Sequence, residues 1–290
     1  LGFIANSTAI VSGRLKPNWV DVKPDTLNMN EDLVEEAIDE DTVAIYAIGT
    51  MGRPSEMDKL KAIADKYDLI LFEDACENYG SKFKGEFSHK YAIGGCSSMF
   101  QAHLVQAGEG SLVYTDSEKL RDLIISIRSH GRHGKSAYFD HLRFGSNFKT
   151  TDLCASVALE GVEQFHQNIA ERKNVWQQLV DYSAQFKDAA WFSEEPDYME
   201  VMPHGFSITL KPELNGKISE LTDIMDKYNI HWKRNFGFCG SHTALKEFVD
   251  KDYPWATWCG DNGIHVGTHR FMSQDDIDRI NTAIGEFFDE

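Results

Sequence analysis

Val43-Ala44-Ile45-Tyr46-Ala47-Ile48, then Gly52-Arg53-Pro54-Ser55, then Leu69-Ile70-Leu71-Phe72-Glu73-Asp74 follow one another in a short stretch of the chain. The first run is continuously apolar between Asp41-Thr42 and Gly49, the pattern of a strand buried on both faces. Gly52-Arg53-Pro54-Ser55 opens a helix with Met57, Leu60, Ile63 and Ala64 at helical spacing, ending near Lys66. The third run is another buried strand that leads straight into two carboxylates. Strand, helix, strand with acid at the strand's C-terminal end is the grammar of a parallel α/β sheet, and ligands gather at that end. Asp74 is therefore the first residue of chemical interest, placed to hold a cationic nitrogen in a partly dry site. A helix cap or a surface turn is the ordinary alternative.

Outward from this unit, Trp19-Val20-Asp21-Val22 reads as a short strand and 30–39 as a helix with Leu33, Val34 and Ile38 inward. Residues 112–115 read as a strand and 117–128 as a helix capped by Ser117. From Thr151 a long helical pattern carries Leu153, Val157, Leu159, Val162 and Phe165, breaks near Asn168 and continues to about 186. After Trp191 the texture changes. Residues 206–210 alternate like a half-exposed strand, 218–228 are helical, and 274–288 form a terminal amphipathic helix. The simplest division is a large domain over 1–165 and a smaller α+β domain over 166–290.

Forty-six Asp and Glu against 29 Lys and Arg give a net charge of -17, which argues against nucleic acid or an anionic membrane as the main partner. No run reaches the roughly 18 to 20 apolar residues of a membrane helix. The first residues lack the basic region of a signal peptide. Five scattered cysteines with no pair at CxxC spacing read as free thiols, with neither a disulfide framework nor a metal site, and fit a reducing cytoplasm.

The segment 94–111, Gly-Gly-Cys-Ser-Ser-Met-Phe-Gln-Ala-His-Leu-Val-Gln-Ala-Gly-Glu-Gly-Ser, is small and polar between apolar flanks. With it the order of motifs resembles the DegT/StrS-type sugar-nucleotide aminotransferases, pyridoxal phosphate (PLP) enzymes of fold type I. Pro17 to Asn28 resembles their "P-x-F-V-D-I-D-P-D-T-L-N", Gly52 to Asp58 their "G-R-P-x-x-M-D", and Glu73-Asp74-Ala75-Cys76-Glu77 their "E-D-A-A-Q". Ser129-His130-Gly131-Arg132 looks like "N-H-G-R", and Gly145 to Asp152 like "G-Y-N-Y-R-M-T-D". The resemblance implies an α/β, aspartate-aminotransferase-like large domain with a mainly parallel sheet. It also implies that the chain is N-terminally incomplete by roughly 80–90 residues, leaving a hydrophobic sheet edge that something must cover.

One departure decides the branch. Where the aminotransferases carry the lysine that fixes PLP covalently, this chain has Ala102-His103, and no lysine lies between Lys90 and Lys119. The NDP-4-keto-6-deoxyhexose 3-dehydratases read "S-F-Y-P-A-H-H-x-x-x-G-E-G-G" there, and Glu73 to Gly85 is similar to their "E-D-x-C-D-A-L-G-S-x-Y-x-G". Without the lysine the cofactor works as free pyridoxamine phosphate (PMP), and histidine suits a base that takes and returns protons near neutrality.

The resemblance thus implies His103 as base, Asp74 on the pyridine nitrogen, Ser98 on the cofactor phosphate, and Asn147 on that phosphate from the partner of a homodimer. Glu77 would lie near the cofactor's O3′, with a plain surface carboxylate as the alternative, and Phe3 falls on the aromatic that stacks on the ring. The substrate would be a nucleotide sugar and the amino donor glutamate, in deoxysugar biosynthesis of the kind lipopolysaccharides use. Only eight residues separate Arg132 from His141 and none is Cys, so no iron–sulfur cluster is expected. Two other readings stand beside this one. An aminotransferase would need a lysine from outside the loop, Lys90 being nearest, and a family member could also be non-catalytic. Trp232, Arg234 and His242 are further candidates for the sugar pocket.

Overall fold

The computed structural model describes residues 1–132 and 140–289. A short helix α1 (Ala5–Ser12) leads to β1 (Ala44–Ile48), α2 (Met57–Lys66) and β2 (Ile70–Asp74). β1 and β2 are parallel, with Ile48 beside Asp74. Ile45, Ala47 and Leu71 bury against Met57, Leu60 and Ala64, so the predicted crossover helix seals one face of the sheet. The other face is only half-buried at Tyr46, Ile48 and Phe72, which corrects the expectation of strands shut in on both sides.

β3 (Lys82–Phe83) and β4 (Glu86–Phe87) form a small hairpin before β5 (Gly94–Ser98), β6 (Ser111–Thr115) and α3 (Glu118–Arg128). The sheet order is β1-β2-β5-β6, with β5 parallel to β2 and β6 antiparallel to β5, an α/β arrangement with a mainly parallel sheet. No apolar run announces β5. It forms because Gly94 and Gly95 let the backbone lie against Tyr114, whose carbonyl oxygen and ring would stand 2.6 and 2.7 Å from the respective Cβ atoms. The following loop is stitched by Ala107 N to Met99 O (2.8 Å) and His103 N to Phe100 O (2.9 Å). Its Leu104, Val105 and Ala107 bury beneath α4 (Asp152–Glu163) and α5 (Phe165–Ser183). Ser117 and Thr151 cap their helices as read, and the long helix breaks at Gln164, not near Asn168.

The C-terminal part adds β7 (Ala190–Phe192), β8 (Met199–Glu200), β9 (Gly205–Leu210), α6 (Ile218–Lys227), β10 (Trp232–Arg234), α7 (Pro254–Asp261), β11 (Gly263–Gly267) and α8 (Gln274–Phe288). Its antiparallel sheet, β10-β11-β9-β7, packs Phe206, Ile208, Leu210 and Ile264 against Trp176 and Leu179 of α5, Leu221 of α6 and Ile284 of α8. β8 joins β3 and β4 in a third, three-stranded sheet, which ties this part to the first.

Three further expectations need correcting. Trp19-Val20-Asp21-Val22 is no strand: only an isolated bridge, Val22 to Met29, forms there. Asp21 instead reaches across the molecule and accepts from Trp255 N (3.0 Å) and Ala256 N (2.8 Å) at the start of α7. The helix read over 30–39 is two short 3-10 turns, Glu31–Leu33 and Glu35–Ala37. β9 is buried at every position, not on alternate ones, because Ser207 and Thr209 accept from Asn235 Nδ2 (2.9 and 3.1 Å) on its polar face.

Candidate active site

The β2–β5 register sets Asp74 directly beside Cys96, at the C-terminal end of the sheet. Asp74 is buried, and its Oδ1 accepts from Cys76 N at 2.9 Å, which folds the chain back over the strand end. Glu73, one residue earlier, points to the opposite face. Its Oε1 accepts from Asn78 Nδ2 (3.0 Å), and burial raises its carboxyl above the usual range. The two neighbouring carboxylates therefore divide the work, Glu73 toward Asn78 and Asp74 toward Cys76 and Cys96.

Glu77 is buried, which removes the surface-carboxylate alternative. One oxygen accepts from Met51 N at 2.8 Å and the other stands 3.8 Å from His204 Nε2. The His103 ring lies 5.1 Å from that of His204, tilted by 33°. Burial first, then the hydrogen bond from Met51 acting against it, set the Glu77 carboxyl at about 7. Burial, reinforced by His204, depresses His103 to about 4, while Glu77, the backbone of Cys76 and Asp74 oppose the shift. Burial likewise holds His204 and His265 at about 4. All three imidazoles are thus neutral near pH 7, and the Glu77–His204 contact is no ion pair there. The Nδ1 atoms of His103, His204 and His265 are buried with no hydrogen-bond partner. His204 and His265 escaped the sequence reading. They precede or sit in ordinary strands, and only the fold brings His204 to His103 and, through the pairing of β9 with β11, His265 close to His204.

Ser98 lies two residues beyond Cys96 on the same strand and so on the same face as Asp74's partner, roughly 6.6 Å further along. Its Oγ accepts from Phe100 N at 3.1 Å. Asn147 is exposed on the bridge to Ser129, and its side chain accepts from Lys149 N at 3.5 Å. Phe3 is exposed and meets Phe236 edge-on at 6.4 Å. Lys90 is exposed and faces Asp116 at 4.0 Å. Arg234 donates to Asp261 O (2.8 Å) and Trp232 to Asp226 Oδ1 (2.9 Å), so both serve the C-terminal sheet's own surroundings. Of the stretch between Arg132 and His141, residues 133–139 lie outside the described residues. A separate cleft of about 210 Å³, lined by Lys23, Asn28, Glu31, Arg53, Lys59 and Tyr198 among others, contains none of the expected site residues. Among the described residues, no helix is long and apolar enough to cross a membrane.

The arrangement offers a buried carboxylate, a hydroxyl further along the same sheet face, and an unprotonated imidazole beside a second one. Such a set can hold a heteroaromatic ring and move a proton next to it. Residues 1–285 match the pattern of the DegT/DnrJ/EryC1/StrS aminotransferase family. A GDP-4-keto-6-deoxy-D-mannose 3-dehydratase of Escherichia coli O55:H7 is 24% identical over 93% of this chain and 74% of its own. A UDP-2-acetamido-2-deoxy-3-oxo-D-glucuronate aminotransferase of Pseudomonas aeruginosa is 31% identical over 60% of this chain and 48% of its own. Among solved structures, an E. coli GDP-4-keto-6-deoxy-D-mannose-3-dehydratase with bound hydrated PLP superimposes with a TM-score of 0.89 at 22% identity, covering 98% of this chain and 78% of that one. The fold is therefore that of the PLP fold type I enzymes.

Proposed function

The chain belongs to the DegT/DnrJ/EryC1/StrS aminotransferase family, and from that premise we propose that it is a PLP/PMP-dependent enzyme acting on a nucleotide sugar, specifically a 3-dehydratase that removes the C3 hydroxyl of an NDP-4-keto-6-deoxyhexose. The observation that carries the finer reading is His103, whose ring lies 5.1 Å from that of His204 and within electrostatic reach of Glu77 and Asp74, where an aminotransferase needs a lysine. When bound, pyridoxamine phosphate supplies an amine for the sugar ketone and a ring that takes up electrons. Asp74 would hold the ring nitrogen in a buried setting, and the hydroxyl of Ser98 would bind the phosphate. Both fit, since Asp74 keeps acceptor capacity beyond its bond from Cys76 N, and Ser98 shares its sheet face. His103, uncharged at neutral pH, would accept a proton on its imidazole and return it as the hydroxyl departs. Glu77 stands within electrostatic reach of His103 and would share its proton. Glutamate would restore the amine.

Phe3 and Asn147 keep the roles the family pattern implies, on the ring and, from a second subunit, on the phosphate. A homodimer is supported by the apolar side chains Leu112, Leu153, Leu159 and Val162 left open on β6 and α4. Lys90 turned toward Asp116 weighs against the aminotransferase reading, which the 31% identical relative favours.

The test is to incubate the protein with PLP and glutamate, reduce half with borohydride, and denature. Cofactor released whole as PMP from both halves is the expected result. Cofactor fixed to Lys90 or any other lysine revives the aminotransferase, and no binding by a folded protein favours a non-catalytic member. The variant His103→Asn should keep the cofactor and lose deoxygenation by about 10²-fold or more. Unchanged turnover removes His103 from the mechanism.

A further inference from the structure

Cys259 packs among apolar side chains, the ordinary place of a free thiol. Cys76 and Cys96 do not. Twenty positions apart in sequence, they are gathered around one carboxylate by two features of the backbone. The β2–β5 register sets Cys96 beside Asp74, locked by Ala75 N to Cys96 O at 2.8 Å. The bond from Cys76 N to Asp74 Oδ1 turns Cys76 back over the same point. The ligand atoms of Asp74, Cys76 and Cys96 all lie within 4.8 Å of one another, and Cys96 Sγ is 3.9 Å from Asp74 Oδ1. Two sulfurs bound at ~2.3 Å to a tetrahedral zinc stand ~3.8 Å apart, and a sulfur and a carboxylate oxygen ~3.5 Å apart. The three groups are thus within about 1 Å of closing on such an ion. Tyr46 Oη, 3.8 Å from Cys96 Sγ, borders the remaining side. Both cysteines are only half-buried, which leaves an entry path.

We propose that Asp74, Cys76 and Cys96 form a binding site for a thiophilic divalent cation of the zinc class. Two thiolates and one carboxylate select a borderline-soft ion over magnesium or calcium, and three protein ligands leave a fourth position for water. The site uses the carboxylate that, on the reading above, holds the cofactor ring. The ion and the ring therefore exclude one another, and a free thiophilic metal switches the enzyme off at its cofactor site.

Cobalt(II) titrated into the reduced, cofactor-free protein tests the site through the near-ultraviolet thiolate-to-cobalt absorption. One equivalent is expected to saturate the band, zinc to abolish it by displacement, and Cys76→Ser or Cys96→Ser to weaken binding at least about tenfold. A folded protein with no thiolate band, or an undiminished band in the Cys76→Ser/Cys96→Ser double variant, overturns the site. Circular dichroism of each variant shows that it is folded. PMP retained through gel filtration is expected to be lost on adding one equivalent of zinc, and retention of both together overturns the exclusion. Cobalt bound through the cysteines by a protein that never retains PMP would overturn the cofactor reading and leave the metal site standing.

Discussion

The sheet of β7, β9, β10 and β11 is roofed by α5, α6 and α8, so that Phe206, Ile208, Leu210 and Leu221 are completely shut from water. The sheet of β1, β2, β5 and β6 is sealed by α2 on one face, while Leu112, Val113, Leu123, Leu153, Leu159 and Val162 of β6, α3 and α4 stay open. The first region is held by its own core. The second carries Asp74, Cys96 and Ser98 of the candidate site on the C-terminal ends of its strands. Contact with ligand or with another copy is what such an arrangement is open to, at the expense of packing.

The largest test of this contrast is truncation. Leu221→Ala is expected to lose about 2–5 kcal/mol in urea denaturation, because burial and the remaining cavity both count. Leu159→Ala, on an exposed position of α4, is expected to change stability by no more than about 0.5 kcal/mol. Equal losses would show that the open face is covered in solution.

Next comes the titration of the site. Glu77 has its carboxyl raised from 4.5 to about 7, so its contribution to stability is full below pH 4.5 and lost as pH rises through about 7. Glu77→Gln should therefore be more stable than the parent by about 3 kcal/mol at pH 8, with the gap closing toward pH 5. A gap that does not vary with pH would mean that Glu77 is not the group titrating. His103, His204 and His265, lowered from 6.5 to about 4, act the other way: their contribution is present above pH 6.5 and lost as pH falls toward 4. Stability to urea should therefore fall as pH drops from 6.5 toward 4, and a stability that stays flat across that window would show that these imidazoles are not the groups titrating.

The smallest effect concerns helix caps. Ser273 and Asp276 form a reciprocal capping box on α8, with Ser273 N to Asp276 Oδ2 at 2.9 Å. Ser273→Ala should lower global stability by about 1 kcal/mol. Thr151→Ala, which removes the cap of α4, should instead speed exchange of that helix with little global loss. A global loss as large as that of Ser273→Ala would place α4 in the same cooperative unit as the core.

Much of this was legible in the residue order. The run of 43–74 specifies β1, α2 and β2 because side-chain periodicity is local, and the caps at Ser117 and Thr151 are built from neighbours in sequence. Asp74, Ser98 and His103 were marked by motif order, which places groups along the chain but does not say what faces them. Strand β5 left no apolar signal, since its reason is the absence of a side chain opposite Tyr114. The burial of β9 could not be read from its alternation, because Asn235, far along the chain, satisfies the polar face. The approach of His204 to His103 and the gathering of Cys76 and Cys96 around Asp74 are likewise decided only in the folded molecule. Sequence by itself determines what depends on period, capping and motif. Strand register and the pairing of distant elements set burial, proton affinity and which ligands converge, and these arise from contacts between residues that the chain keeps far apart.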